Sequence, residues 1–207
     1  MQKNRKKIAI IAVAAVFGLL AVLAFLFGTV TEDLTENVNY RQNNNGGKIT
    51  NDTAITQTFL CRQDHVKGLM LRVSTFGQTF QEGNAVFTLL DEKGTQLARE
   101  AIALSTLKDK GAVSFYFDTL SGVKGKVLTL KAEGENLPDE MAYSLMIGQG
   151  SVGGMLTTAD GKTTENNSLF MTMTYEETYY AVNAIVVFAA IMVICLSLLP
   201  MCKKEEL

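Results

Sequence analysis

Two long apolar runs, one near each end, constrain this chain more than anything else in it. Ile8 to Gly28 reads IAIIAVAAVFGLLAVLAFLFG, 21 residues without a charge, and Lys3, Arg5, Lys6 and Lys7 precede it. A helix of that length rises about 30 Å, the thickness of a bilayer's hydrocarbon core. A cleaved signal peptide is the rival reading. The run exceeds the usual signal core, and no clean Ala-x-Ala site stands before Thr31-Glu32-Asp33, so an uncleaved anchor is expected. The second run, 181–201, reads AVNAIVVFAAIMVICLSLLPM. Tyr179 and Tyr180 stand at its outer end, where amphipathic rings favour the headgroup layer, and Lys203 and Lys204 follow its inner end. Asn183 lies within a turn of the interface, and Pro200 falls in the last turn, where a lost backbone bond matters least.

Basic residues set orientation. Those before the first run and after the second predict two spans with both termini cytoplasmic and the middle of the chain outside the cell membrane. Lys6, Lys7, Tyr179, Tyr180, Lys203 and Lys204 are the expected interface residues. The expected organisation is a cytoplasmic terminus at 1–7, a span at 8–28, a polar stalk at 29–53, an extracytoplasmic β domain at 54–178, a span at 179–201 and a cytoplasmic tail at 202–207. Ala14 and Gly18 on the first span, and Ala184, Ala189 and Ala190 on the second, let the two helices approach closely. The lipid bilayer is thus the first expected partner. A formal net charge of −2, with the middle segment acidic, excludes a nucleic-acid binder that needs a basic face.

The middle of the chain follows a different period. Residues 29–53 are polar and include Asn43-Asn44-Asn45-Gly46-Gly47, a turn-rich stretch with room for a short edge strand at 38–40. From Ala54 onward, short β-type runs alternate with turns. Leu69, Leu71 and Val73 alternate with Met70, Arg72 and Ser74; Val113, Phe115 and Phe117 alternate with Ser114, Tyr116 and Asp118. Asp91-Glu92-Lys93-Gly94 closes a hairpin, with glycine where a positive φ is wanted. About eight strands at roughly 8–14 residue spacing, without an amphipathic helix, predict a mainly β fold: an antiparallel β-sandwich between two transmembrane α-helices.

Several segments carry a resemblance. They are Gln57-Thr58-Phe59, Gly68-Leu69-Met70-Leu71, Gly83 through Asp91 with Gly94, Leu107-Lys108-Asp109, Phe115-Tyr116-Phe117, and Gly161 through Met171. Over about residues 54–175 the chain resembles the jelly-roll, galactose-binding-like extracytoplasmic domain of bacterial cell-envelope membrane proteins, often ones handling surface polysaccharide. The resemblance implies fold and location and points towards sugar. It transfers no binding residue, because the matching positions are turn glycines and inward apolar residues.

Little in the sequence points to catalysis, and no cofactor is expected. His65 is the single histidine, beside Asp64, and reads as a solvated loop residue. Three cysteines and one histidine supply too few ligands for a structural zinc site. Cys61 reads as a small core residue, with an intermolecular link as its alternative, and Cys195 and Cys202 as packing residues, with acylation as the alternative for Cys202. The carboxylate pairs Asp91-Glu92, Asp139-Glu140 and Glu176-Glu177 are sequence neighbours, which point apart in strands. Asp160 and Asn166 can offer oxygens to Ca²⁺, though a turn explains them equally well. The sequons at Asn51 and Asn166 are irrelevant in a bacterium.

Sugar binding needs an exposed aromatic face, and without Trp the candidates are Tyr116, Phe76 and Phe80. The alternation aims Phe115 and Phe117 inward and Tyr116 outward. The expected function is therefore non-catalytic: an accessory module that binds or positions a cell-surface glycan for envelope polysaccharide machinery, alongside another membrane protein. A structural subunit recognised through its transmembrane helices is the alternative. A polysaccharide chain-length regulator shares the two-span layout, but it would demand long helices where the text is β-type.

Overall fold

A computed structural model of the protein describes residues 2–27, 29–39, 44–180 and 182–197. The chain divides into two compact units, Asp33–Glu176 and Met1–Glu32 with Glu177–Leu207. The elements begin with α1 (Gln2–Phe27), β1 (Thr29–Asn39), β2 (Asn44–Asn45), β3 (Ala54–Leu60), β4 (Val66–Ser74), β5 (Asn84–Leu90) and β6 (Gln96–Ala103). A single 3₁₀ turn, Leu104–Thr106, leads to β7 (Ala112–Leu120), β8 (Val127–Glu135) and β9 (Ser144–Gln149). The rest is β10 (Leu156–Thr157), β11 (Thr163–Thr164), β12 (Asn167–Leu169), β13 (Met171–Tyr180) and α2 (Val182–Ser197).

The unit Asp33–Glu176 is two antiparallel sheets. One runs β1-β13-β4-β9-β12, with β7 also paired to β4 and β2 to β9; the other runs β11-β10-β3-β8-β5-β6. Alternation explains the layering. Leu69, Leu71 and Val73 of β4 and Val113 and Phe115 of β7 meet Ile55, Phe59, Phe87, Leu89, Leu128 and Leu130 of the other sheet in one core. The Phe87 and Phe115 rings join the layers with centroids 6.1 Å apart, and Phe117 lies 5.0 Å from Phe115. Central β5 is buried on both faces. Thr88, on its outer face, lies in register between Arg99 and Lys131, which pair with Glu135 and Glu133 of β8.

Two buried polar groups tie the core together. Gln57 is fully buried, and its Oε1 accepts the Leu169 N–H at 3.2 Å, so a β3 side chain satisfies β12 across the sandwich. The Tyr143 hydroxyl donates to the Glu133 carbonyl at 2.7 Å, and burial pushes its phenol pKa up.

The other unit holds the apolar helices. Only Ile8–Leu26 of α1, 19 residues, is long and apolar enough among the described helices to cross a membrane; a signal sequence near an N-terminus fits the same description. The apolar part of α2, Ala184–Ser197, is shorter. The two pack along small residues: Ala14 is buried, the Phe17 and Phe188 rings lie 6.2 Å apart, and a Cβ on Gly18 would sit 3.0 Å from the Met192 Sδ. Elsewhere their surfaces stay apolar, with Ile8, Leu19 and Phe25 of α1 and Val186, Val193 and Ile194 of α2 more than half exposed.

Several expected boundaries shift. The stretch 29–53, expected as a stalk, contains β1, β2 and the buried Ile49, which bridges Tyr143. Backbone pairing with β13 and β9 builds these strands, so they need no apolar pattern of their own. The sandwich accordingly includes β1 and begins before residue 54. Tyr179 and Tyr180 end β13, and the span expected at 179–201 is described as a helix only over Val182–Ser197. Tyr40, Pro200, Cys202, Lys203 and Lys204 lie outside the described residues.

Candidate functional site

The sequence candidates separate on burial. Phe80 is 3% exposed and belongs to the core, so it presents no stacking face, which corrects its candidacy. Phe76 is 38% exposed in the turn after β4, with φ +53. Tyr116 is 62% exposed while Phe115 beside it is fully buried, as the alternation expects. The Tyr116 ring covers Gly68, its register partner on β4: a Cβ there would meet Cδ1 at 2.7 Å and Cε1 at 3.1 Å. Absence of a side chain at Gly68 thus lets the ring settle on the sheet. The Tyr116 N–H, on the free edge of β7, donates to Glu100 Oε2 at 3.2 Å, which blocks further strand pairing there. The same face carries Met70 and Phe170, whose ring centroid lies 5.1 Å from the Arg72 guanidinium carbon.

A second cluster was not foreseeable from sequence. His65 Nδ1 lies 3.0 Å from Ser121 Oγ, next to Asp64. Nucleophilic chemistry would need a carboxylate on the imidazole and free amides for an oxyanion. Asp64 Oδ1 instead accepts the N–H groups of His65 at 3.0 Å, Gly122 at 2.6 Å and Val123 at 3.2 Å. The His65 amide first, and then the other two, hold the Asp64 carboxyl below the usual carboxylate range. His65 also accepts the Glu176 N–H through its carbonyl at 3.0 Å. The cluster ties the β3–β4 turn, the β7–β8 loop and β13 together.

Other titratable groups are similarly engaged. Asp91 accepts the amides of Thr95 at 2.7 Å and Lys93 at 2.9 Å inside its hairpin, whereas Glu92 accepts that of Val127 at 3.0 Å. Lys67 bridges Asp33 at 2.5 Å and Glu176 at 3.4 Å, and the bond to Asp33 raises its pKa. Cys61 is fully buried and burial pushes its thiol pKa up, so it is a core residue and not an intermolecular link.

Surface depressions large enough for a ligand occur among the described residues. One, about 490 Å³, lies between the Asp91–Lys93 turn and the β7–β8 loop, with Leu97, Leu120, Val123 and Leu128 below a rim that includes Lys93 and Lys126. Another, about 500 Å³, is a polar groove between Asn44–Gly47 and the strands β10 to β12. A hollow lined by Glu36, Leu60, Arg62, Val152 and Met173 holds about 10 Å³, no more than a water.

The groove contains Asp160, one of the two calcium candidates. Lys162 Nζ lies 2.7 Å from Asp160 Oδ2, and the Thr158 hydroxyl donates to Oδ1; Lys162 foremost holds this carboxyl at a pKa of about 2. Asn166 is engaged through its backbone, with N–H donating to Thr164 Oγ1 at 3.1 Å and carbonyl accepting from Gly150 at 2.9 Å. Ca²⁺ takes six to eight oxygens, roughly, and a paired ammonium competes for the one carboxylate here. Among the described residues no group of three His, Cys, Asp or Glu side chains converges.

No family model matches the chain, and no curated protein matches it. Among solved structures it is similar to the VP2 subviral particle of infectious bursal disease virus, at 14% identity and a TM-score of 0.30, covering 72% of this chain and 40% of that one. A structure of the Gx strain of the same virus gives 14% identity and a TM-score of 0.27, covering 72% and 36%. The chain thus spans about two fifths of the length of these proteins. Likenesses this slight carry no inference about what this chain does.

Proposed function

We propose that the protein is a non-catalytic, two-span bacterial membrane protein that displays its β-sandwich outside the cell membrane. There it acts as an accessory module, binding or positioning an envelope glycan for polysaccharide machinery. The observation that carries the binding reading is the exposed Tyr116 ring seated over Gly68. A ring of this kind on a rigid sheet offers an apolar face to a sugar without a loop to order first. Apolar exteriors on two mutually packed helices support the membrane anchor.

Tyr116→Ala is expected to change folding stability by no more than about 0.5 kcal/mol, as exposed side chains do. The same substitution should weaken retention of the full chain, in detergent, on purified envelope polysaccharide. Equal retention of variant and wild type would reject Tyr116 as the reader.

Topology is tested separately. A cysteine replacing exposed Ser105 should react with an impermeant maleimide in intact cells, whereas one replacing Gln2 should react only after lysis. Labelling of the Gln2 position from outside would reject the orientation.

The alternative is a structural subunit recognised through its helices. It draws support from Val186, Val193 and Ile194, which α1 does not cover. In that case, deleting either helix abolishes co-purification with a membrane partner while the sandwich shows no glycan affinity. The chain-length regulator loses its support, because Leu104–Thr106 is the only helical segment described within Asp33–Glu176.

A further inference from the structure

We infer that the groove between Asn44–Gly47 and strands β10 to β12 is a binding site for a neutral oligosaccharide, separate from Tyr116. The inference rests on the glycan reading above and adds where and how such a ligand is held. At about 500 Å³ the groove lies within the range of small-molecule sites, roughly 300–1,000 Å³. Among the described residues its lining is amide, hydroxyl, backbone and one ion pair, with no aromatic and no long apolar side chain.

Charge decides the ligand class. Among the described lining residues Asp160 and Lys162 are the only full charges, and they neutralise each other at 2.7 Å. A phosphate or a uronate would need surplus cations, and a divalent metal would need surplus carboxylates. What remains is a ligand whose groups both donate and accept, as sugar hydroxyls do.

The groove offers both halves of that chemistry in fixed positions. Asn44 Oδ1 accepts the Asn45 N–H at 2.9 Å, and Asn45 Oδ1 accepts the Gly47 N–H at 3.2 Å. With each amide oxygen committed, each side-chain NH₂ is left as a donor. Asp160 holds Thr158 on Oδ1 and Lys162 on Oδ2, and the remaining lone pairs of its ionised carboxylate are the acceptor. The wall is built before any ligand arrives. Ala159 N–H donates to the Gly46 carbonyl at 2.8 Å, and Gly47, at φ +93, lies so close to Ala159 that a Cβ would approach it to 3.2 Å. Such preorganisation lowers the ordering cost of binding.

The test uses the full chain in lipid nanodiscs with ¹⁵N-labelled asparagine. Maltotetraose and chitotetraose are the neutral probes and tetragalacturonate the acidic one. A neutral probe should shift the Asn44 and Asn45 side-chain amide signals saturably, at affinities near millimolar, and tetragalacturonate should not. Asn45→Ala and Asp160→Asn should each lower that affinity about tenfold, whereas Ser105→Ala, at an exposed turn outside the groove, should leave it unchanged. Asp160→Asn retains the side-chain shape, so its loss of affinity does not reduce to local unfolding. Shifts with tetragalacturonate alone, no shift with either neutral probe, or unaltered affinity in both groove variants would overturn the site. If envelope polysaccharide still binds wild type and both variants equally, the groove fails while the glycan reading stands. If polysaccharide binds none of them, the glycan reading fails as well.

Discussion

Truncating Phe115 to alanine should lower folding stability by about 3–5 kcal/mol, the range for removing a buried aromatic ring. The ring is fully buried and touches both layers, with Phe87 at 6.1 Å in one sheet and Phe117 at 5.0 Å on its own strand. Because β7 pairs only with β4 among the described strands, the main chain around position 115 is anchored on one side, and the ring itself holds that edge strand to the opposite layer. The loss is a large share of the roughly 5–15 kcal/mol that keeps a domain folded. Urea titration of the full chain in detergent, followed by the β-type circular dichroism signal, would show it as a lower midpoint at unchanged slope. Tyr116→Ala, one residue along and facing out, is the internal control. Equal midpoints for the two variants would mean that the inward–outward alternation of β7 is wrong.

The same alternation marks how much of this fold is legible in sequence. Leu69, Leu71 and Val73, and Val113 and Phe115, announce their buried faces because half-buried strands must segregate side chains with a period of two. Gln57 breaks the pattern. It occupies an inward position between Ile55 and Phe59, and its partner, the Leu169 amide, lies 112 residues away, so nothing local explains a polar group there. The stretch 29–53 is misread for a related reason. Its strands are specified by backbone bonds to β13 and β9, and backbone bonds leave little mark on composition.

The candidate sites follow the same division. Tyr116 is legible, since a single strand's period aims it outward. Phe80 is not, because it lies between strands, where no period says which way a ring turns. Asn44–Gly47 and Asp160–Lys162 each read as ordinary turns. Only the antiparallel pairing of β2 and β12 with β9, and of β10 with β11, brings them to one groove. Ser121 beside His65 is likewise a product of tertiary structure alone.

Gly154→Ala tests a contact that sequence does not disclose. The segment before β10 runs along β3: Thr58 N–H donates to the Met155 carbonyl at 2.9 Å, Leu60 N–H to the Val152 carbonyl at 3.1 Å, and Met155 N–H to Thr58 Oγ1 at 2.7 Å. A Cβ on Gly154 would fall 2.1 Å from the Thr58 carbonyl oxygen and 2.4 Å from its carbon. Those are backbone atoms of a paired strand, so no rotamer change relieves the overlap. The segment has to lift, which stretches all three bonds and draws buried Val152 and Leu156 from the core. Overpacking costs about 1–3 kcal/mol and each lost hydrogen bond about 0.5–1.5 kcal/mol, so a total of roughly 3 kcal/mol or more is expected. Gly94→Ala separates this from ordinary glycine strain. At φ +79 with nothing within 4 Å, it should cost only about 1–2 kcal/mol through the left-handed backbone. If thermal unfolding of the two variants shows Gly154→Ala to be the milder change, the close passage over Thr58 does not exist in solution.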